Sequence, residues 1–167
     1  MLLAWSDFIV EENPNAKILL HGVSMGAAAV MLAAGSGELP ENVVAAIEDC
    51  GFTNCFDEFM YDVGLSIPVI TKPVVMAMDY TSRLTKNFNF KKNSPIDAIK
   101  NAKIPMLFIH GTIDDLIPIR MCKELYEAYP KEKEKLFVEG ALHAVSIAID
   151  NRAYLEAMDN FISKYVK

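Results

Sequence analysis

Four short apolar runs alternate along the chain with segments that carry a helical pattern. The runs occupy residues 17–21, 43–48, 106–110 and 135–138. An almost unbroken apolar run is typical of a strand that is covered on both faces, as the strands of parallel sheets are. Strands that alternate with helices form right-handed βαβ units. We therefore predict an α/β fold in which helices flank a parallel sheet.

Helical periodicity fills the segments between the runs. A helix is predicted over residues 25–34, directly after the first run, while the charged segment 131–135 alternates in sign and is predicted to be an exposed linker. Three further sets of apolar residues have the spacing of a buried helical stripe: Leu2, Trp5 and Ile9; Cys122, Leu125, Tyr126 and Tyr129; and Tyr154, Ala157, Met158, Phe161, Ile162 and Tyr165.

A glycine-flanked serine stands between the first run and its helix, in the segment Gly22-Val23-Ser24-Met25-Gly26. A serine at the apex of a strand–turn–helix unit holds its hydroxyl at the exposed top of a parallel sheet, against the positive end of a helix. We expect glycine to be needed at positions 22 and 26 because a side chain there would collide where strand and helix pack closely. Ser24 is therefore a candidate nucleophile, and it needs a base and a group that orients that base.

The chain has three histidines that could supply the base. His21 lies on the strand before the serine and His110 ends another apolar run, so we expect structural roles for both. His143 lies on a loop of small residues beyond the run 135–138, from which a side chain can reach a neighbouring site. His143 is therefore the candidate base.

The acid candidates are Asp114 and Asp115, which follow the run 106–110. Carboxylates on a loop beyond a parallel strand can point at a site above the sheet, and the residues alone do not choose between the two. With Ser24 and His143 they give the chain order serine, aspartate, histidine. That order distinguishes α/β-hydrolases from the chymotrypsin and subtilisin arrangements.

Three motifs make the chain resemble the C-terminal part of an α/β-hydrolase, in the serine-hydrolase branch of esterases, monoacylglycerol lipases and serine aminopeptidases. They are His-Gly-Val-Ser-Met-Gly at residues 21–26, the match to H-G-x-x-D-x-x-V/I-P at 110–118, and Gly-Ala-Leu-His-Ala at 140–144. The resemblance implies a catalytic triad of Ser24, Asp114 and His143, with no metal or organic cofactor. It also implies that the backbone N–H of Met25 donates to the oxyanion.

The resemblance implies a serine carboxylester hydrolase that works through an acyl-enzyme on short or medium acyl esters. Thioesterase and aminopeptidase activities use the same triad and stay open. In this family a second oxyanion donor comes from a loop well upstream of the nucleophile, and the 23 residues before Ser24 provide no such loop. Loss of one donor typically slows such a reaction about 100- to 1000-fold. The alternative is an incomplete hydrolase that is active only when assembled with a partner chain.

Residues 52–93 interrupt the alternation of strands and helices, and residues 1–51 and 94–167 form the predicted hydrolase core. The resemblance implies that the insertion is a helical cap over the serine, although a pair of ordinary packing helices fits the pattern equally well. An apolar, Met-rich cap would favour acyl or alkyl groups. We expect the basic and aromatic stretch 83–92 to form a solvated loop on this cap.

Composition and charge indicate which classes of partner and which cellular compartment to expect. The net charge of −6 disfavours a nucleic-acid surface, and no apolar run approaches the roughly 20 residues of a membrane span. The start of the chain does not resemble a signal peptide, and three cysteines are expected to be buried free thiols, so we predict a cytoplasmic protein.

Because the family's upstream strands are missing, strand 17–21 should expose an apolar edge. That edge predicts a homo-oligomer or a complementing N-terminal fragment.

Overall fold

The computed structural model describes residues 2–167 and has a single sheet of four parallel strands in the order β1-β2-β3-β4. This arrangement confirms the predicted α/β fold, and β1 is an edge strand of the described sheet. Each apolar run forms a strand, and the bounds differ from the predicted ones by one or two residues. The strands are β1 (Ile18–Val23), β2 (Val43–Asp49), β3 (Met106–Gly111) and β4 (Lys133–Val138).

Helices cover both faces of the sheet. Apolar side chains of α2, α6 and the 3-10 turn pack on one face, while α8 packs on the other through Tyr154 and Phe161. The arrangement therefore has three layers, with the sheet in the middle. The helices are α1 (Leu2–Glu12), α2 (Met25–Gly35), α3 (Cys55–Ser66), α4 (Thr71–Lys86), α5 (Pro95–Ala98) with a following 3-10 turn (Ile99–Asn101), α6 (Ile119–Ala128), α7 (Ser146–Ile149) and α8 (Asn151–Tyr165).

The predicted linker over residues 131–135 is wrong in its second half, because β4 begins at Lys133. Lys133 pairs with Met106 and Lys135 with Phe108 in the parallel register of β3 and β4. β4 lies at the second edge of the sheet, where long charged side chains reach solvent while the backbone still pairs. Alternating charges are therefore compatible with a strand at this position.

The first helix forms as predicted, but its buried stripe is wrong for Trp5 and Ile9, whereas Leu2 packs against the core as expected. Trp5 is 60% exposed and Ile9 is 40% exposed. The side that packs against the core carries Leu2 and Val10, with Ser6 buried between them. Apolar residues occur on more than one face of α1, so spacing alone could not identify the face that the sheet would cover.

Residues 52–93, the predicted insertion, contain α3 and α4, which pack against each other. Asn54 caps α3 by accepting a hydrogen bond from the N–H of Asp57 at 2.9 Å. In the basic stretch, Phe90 is buried and its ring lies 5.0 Å from that of Phe59. The aromatic side chain is thus used for packing within the insertion. None of the helices described between residues 2 and 167 has the length and apolarity to cross a membrane.

Candidate active site

Ser24 occupies a sharp turn between the end of β1 and the start of α2. Its φ of 56° and ψ of −117° lie in a region that non-glycine residues rarely adopt, a strain typical of functional turns. A Cβ on Gly22 would lie 2.2 Å from the backbone oxygen of Gly26, so the predicted reason for Gly22 holds. The same prediction is wrong for Gly26, where a Cβ would meet nothing within 4 Å. The close contact uses the carbonyl of Gly26 and not its α-carbon.

The imidazole of His143 connects the other two predicted triad residues. Its Nε2 lies 2.9 Å from Oγ of Ser24, and its Nδ1 lies 2.9 Å from Oδ2 of Asp114. The loop that carries His143 packs tightly against the end of β3, since a Cβ on Gly111 would lie 2.2 Å from the backbone oxygen of Ala141. Residues that are 119 positions apart in the chain therefore meet at the carboxyl ends of the strands.

Asp114 and Asp115 have opposite surroundings. The side chain of Asp114 is fully buried, whereas Asp115 is exposed. Oδ1 of Asp114 accepts hydrogen bonds from the N–H groups of Leu116 at 3.0 Å and Ile117 at 2.8 Å. These bonds leave Oδ2 for His143, so the structure brings Asp114 and not Asp115 to the histidine.

His110 supports the loop of the acid. Its Nε2 lies 2.8 Å from the carbonyl oxygen of Ile117 and 3.4 Å from Oδ2 of Asp114. Burial lowers the pKa of His110, which favours a neutral ring that donates its Nε2–H to Ile117. This placement agrees with the structural role expected for His110.

His21 also takes part in a hydrogen-bond network and not in the triad contacts. The hydroxyl of Tyr154 donates to Oδ2 of Asp49 at 2.9 Å and lies 3.4 Å from Nε2 of His21. Asp49 is buried at the end of β2, and burial raises its pKa. The backbone oxygen of Asp49 accepts from the N–H of Ser24 at 2.8 Å, so this network also holds the turn.

Cys50 is a buried neighbour of the predicted triad residues that the sequence motifs did not indicate. Within residues 2–167, Cys50, Asp114 and His143 form the cluster with metal-ligand chemistry, their ligand atoms lying within 4.8 Å of one another. Burial raises the pKa of the Cys50 thiol to about 12, so the thiol stays protonated at neutral pH. The other two members already bond each other. Two of the three members are thus residues of the predicted triad, and Cys50 is their protonated neighbour.

Glu58 of α3 is the second residue that the sequence did not indicate. It is only 9% exposed. Burial raises the pKa of its carboxyl to about 7, and the negative charge of Asp62 adds to this rise. The charge of His143 acts in the opposite direction. No sequence motif marks Glu58, because its burial depends on how α3 packs in the folded chain.

Met25 begins α2, directly after the serine. The first N–H groups of a helix have no partner within that helix, and they carry the positive end of its dipole. Met25 is 77% exposed, and its backbone amide is one of these first N–H groups of α2. The oxyanion role predicted for this amide from the sequence stays a prediction.

Known proteins resemble the chain in sequence and in fold. The YqkD protein of Bacillus subtilis is 30% identical over 151 residues, which cover 90% of this chain and 49% of YqkD. The human alpha/beta hydrolase domain-containing protein 17C is 38% identical over 78 residues, which cover 47% of this chain and 23% of that protein. The chain thus spans at most about half the length of these curated relatives.

Solved structures show the same fold at lower identity. The Pyrococcus furiosus esterase Pf2001 aligns with a TM-score of 0.72 and 17% identity over 99% of this chain and 60% of the esterase. An acylaminoacyl peptidase of Pyrococcus horikoshii aligns with a TM-score of 0.68 and 20% identity over 94% of this chain and 26% of the peptidase. Both likenesses concern the fold alone.

A family assignment follows from the extent of one further match. Residues 2–167 match the prolyl oligopeptidase family, which covers the whole described chain. The human relative is itself named for an alpha/beta hydrolase domain, and the solved structures share the fold of this chain. The chain therefore belongs to the prolyl oligopeptidase family of hydrolases, within the α/β-hydrolase superfamily.

Proposed function

We propose that the chain is a serine carboxylester hydrolase for short or medium acyl esters, with Ser24 as nucleophile, His143 as base and Asp114 as the residue that orients the base. The single observation that carries this proposal is the pair of 2.9 Å contacts on opposite nitrogens of His143. A nucleophile, a base and an orienting acid within hydrogen-bond reach are the geometric signature of activated serine catalysis.

The proposed reaction has two halves. Oγ of Ser24 attacks the carbonyl carbon while Nε2 of His143 accepts the hydroxyl proton, and the carbonyl π pair moves onto oxygen. The tetrahedral intermediate collapses, the C–O bond to the alcohol breaks, and His143 protonates the departing oxygen. Water then attacks the acyl-enzyme by the same proton relay and releases the acid. Asp114 accepts the Nδ1–H throughout, which keeps Nε2 free to act as the base.

Met25 is the proposed oxyanion donor. Its backbone N–H at the start of α2 would stabilise negative charge on the former carbonyl oxygen, aided by the helix dipole. A second donor is proposed to come from outside residues 2–167, as in the family arrangement described above.

A fluorophosphonate probe tests the nucleophile. We expect wild-type protein to be labelled at Ser24 and the Ser24→Ala variant to be silent, because the probe reacts only with an activated serine. Ser36→Ala is a matched control, since Ser36 lies at the other end of α2 with its hydroxyl bonded to Ala33. Equal labelling of wild type and Ser24→Ala, measured by intact-protein mass spectrometry, would contradict the proposal.

A second candidate is an incomplete hydrolase that acts only on assembly, as a homo-oligomer or with a complementing fragment. Two observations favour it: β1 is an edge strand of the described sheet, and α1 leaves Trp5 60% and Phe8 49% exposed. An unpaired edge and exposed aromatic residues are typical of surfaces that pair with another chain. Labelling per molecule that rises with protein concentration would support this candidate, whereas constant labelling of a monomer would contradict it.

A further inference from the structure

Cys50, Asp114 and His143 bring three chemically different metal-ligand atoms to one place. The thiol sulfur, a carboxylate oxygen and an imidazole nitrogen all lie within 4.8 Å of one another. Cys50 and the side chain of Asp114 are fully buried, whereas the side chain of His143 is 18% exposed. The proposed triad reaction uses the carboxylate and the imidazole, and it leaves the thiol without a task.

Backbone hydrogen bonds fix two members of this cluster. Cys50 follows β2 with a φ of 48°, and its N–H donates to the carbonyl oxygen of Ile109 at 2.9 Å. Oδ1 of Asp114 accepts from two backbone N–H groups, which leaves Oδ2 to His143. Ligands that are already ordered bind with little further loss of conformational entropy. The cluster therefore has the rigidity that a metal site needs.

The three donor types suit zinc. Thiolate, imidazole and carboxylate are its usual protein ligands, at about 2.3 Å for sulfur and about 2.0–2.1 Å for nitrogen and oxygen. Around a tetrahedral ion such donor atoms are about 3.3–3.6 Å apart, so shifts of roughly 1 Å bring the cluster onto zinc geometry. Nδ1 of His143 and Oδ2 of Asp114 already lie 2.9 Å apart. Three protein ligands leave the fourth position to water.

We propose that Cys50, Asp114 and His143 form an inhibitory zinc site, at which Zn²⁺ binds reversibly and blocks the base of the serine site. The inhibitory effect rests on the hydrolase function proposed above. A neutral imidazole has one nitrogen lone pair to offer. Zinc at Nδ1 moves the ring proton to Nε2, which then cannot accept the proton of Ser24. Zinc at Nε2 displaces Oγ of Ser24 from its 2.9 Å contact. With either nitrogen, His143 stops acting as the base.

Zinc binding exchanges protons and transfers no electrons. The thiol of Cys50 releases its proton to solvent as the Zn–S bond forms, because the thiolate is the ligand. Oδ2 of Asp114 exchanges its hydrogen bond from His143 for a bond to the ion, and zinc itself has no redox chemistry. A chelator that removes zinc returns the proton to the thiol and frees the imidazole. Cys50 is thus a regulatory ligand and takes no part in acyl transfer.

Zinc titration against hydrolysis of 4-nitrophenyl butyrate tests the inhibition, with each variant compared with its own metal-free rate. We expect zinc to inhibit wild type and EDTA to restore the rate. Cys50→Ser should need about 100-fold more zinc, because even the outer-shell partners of a metal ligand are worth about 10- to 100-fold in affinity. Cys55→Ser removes the half-buried thiol of α3 and should respond like wild type. An active wild type that zinc does not inhibit, or equal zinc sensitivity of the two variants, overturns the inference.

Cobalt(II) replaces zinc in a second measurement that needs no activity. A cysteine thiolate bound to Co²⁺ gives a sulfur-to-metal charge-transfer absorption band. We expect this band in wild type, in Cys55→Ser and in Ser24→Ala, whose ligands are intact, and its loss in Cys50→Ser. Absence of the band from wild type, or its persistence in Cys50→Ser, overturns the inference. A wild type that shows the Cys50-dependent band and hydrolyses no ester supports the metal site and contradicts the proposed function alone.

Discussion

Two adjacent aspartates with the same chemistry differ completely in their environment. The side chain of Asp114 is fully buried and bonds two backbone N–H groups and His143, whereas Asp115 is exposed. The residues alone left both as candidates, and only the resemblance to a motif favoured Asp114. The loop conformation makes the choice, because it aims one carboxylate inward and leaves the next in solvent.

Asp114→Asn tests this difference at the level of one atom. The amide would present an N–H to Nδ1 of His143 and thereby favour the tautomer with hydrogen on Nε2, which cannot accept the proton of Ser24. We expect kcat for a simple ester to fall by about 10⁴-fold, as the same change does in other triads. Asp115→Asn is the control and should change kcat little. Similar losses in the two variants would contradict the assignment.

The strand–turn–helix unit around Ser24 depends on one glycine more than on the other. Gly22 faces the backbone of Gly26 at a distance that no Cβ tolerates, whereas Gly26 faces open space. The sequence pattern treats the two as equivalent, because both flank the serine. Their difference arises from the way α2 approaches β1, which only the packed elements show.

A pair of alanine substitutions measures this asymmetry. We expect Gly22→Ala to destabilise the fold by about 2 kcal/mol or more, because strand and helix must separate to admit the methyl group. Gly26→Ala should be neutral or should stabilise by up to about 1 kcal/mol, since alanine favours the helical conformation. Urea unfolding followed by circular dichroism gives both values. A larger loss in Gly26→Ala would show that the contact is assigned to the wrong glycine.

Across the whole molecule, an unusual feature of the core is a buried carboxyl. Glu48 of β2 is completely buried, and its oxygens accept from the N–H of Gly51 at 3.0 Å and from Sγ of Cys122 at 3.5 Å. Burial raises the pKa of Glu48 from 4.5 to about 8. The folded protein therefore carries a neutral Glu48 at neutral pH.

This carboxyl makes global stability depend on pH. Between pH 4.5 and about 8 the unfolded chain loses the proton that the folded chain keeps, so the stability contributed by Glu48 is fully present below this window and is lost as pH rises through it. We expect the thermal midpoint to decrease from pH 5 to pH 8.5, and Glu48→Gln to flatten that slope because the amide does not titrate. Calorimetry at matched ionic strength measures both profiles. A slope that is unchanged in Glu48→Gln would contradict this role.

The sequence by itself determined the layer order and the main candidate residues. Alternation of apolar runs with helical stripes is a local signal, and so are the motifs around Ser24, Asp114 and His143, which the structure brings together. Tertiary structure decided four features: the exposed face of α1, the start of β4 at Lys133, the difference between the two glycines that flank Ser24, and the burial of Glu58. Each of these depends on which surface a distant segment covers. Periodicity shows which residues can be buried, whereas the packing of distant segments decides which of them are buried and which residues they contact.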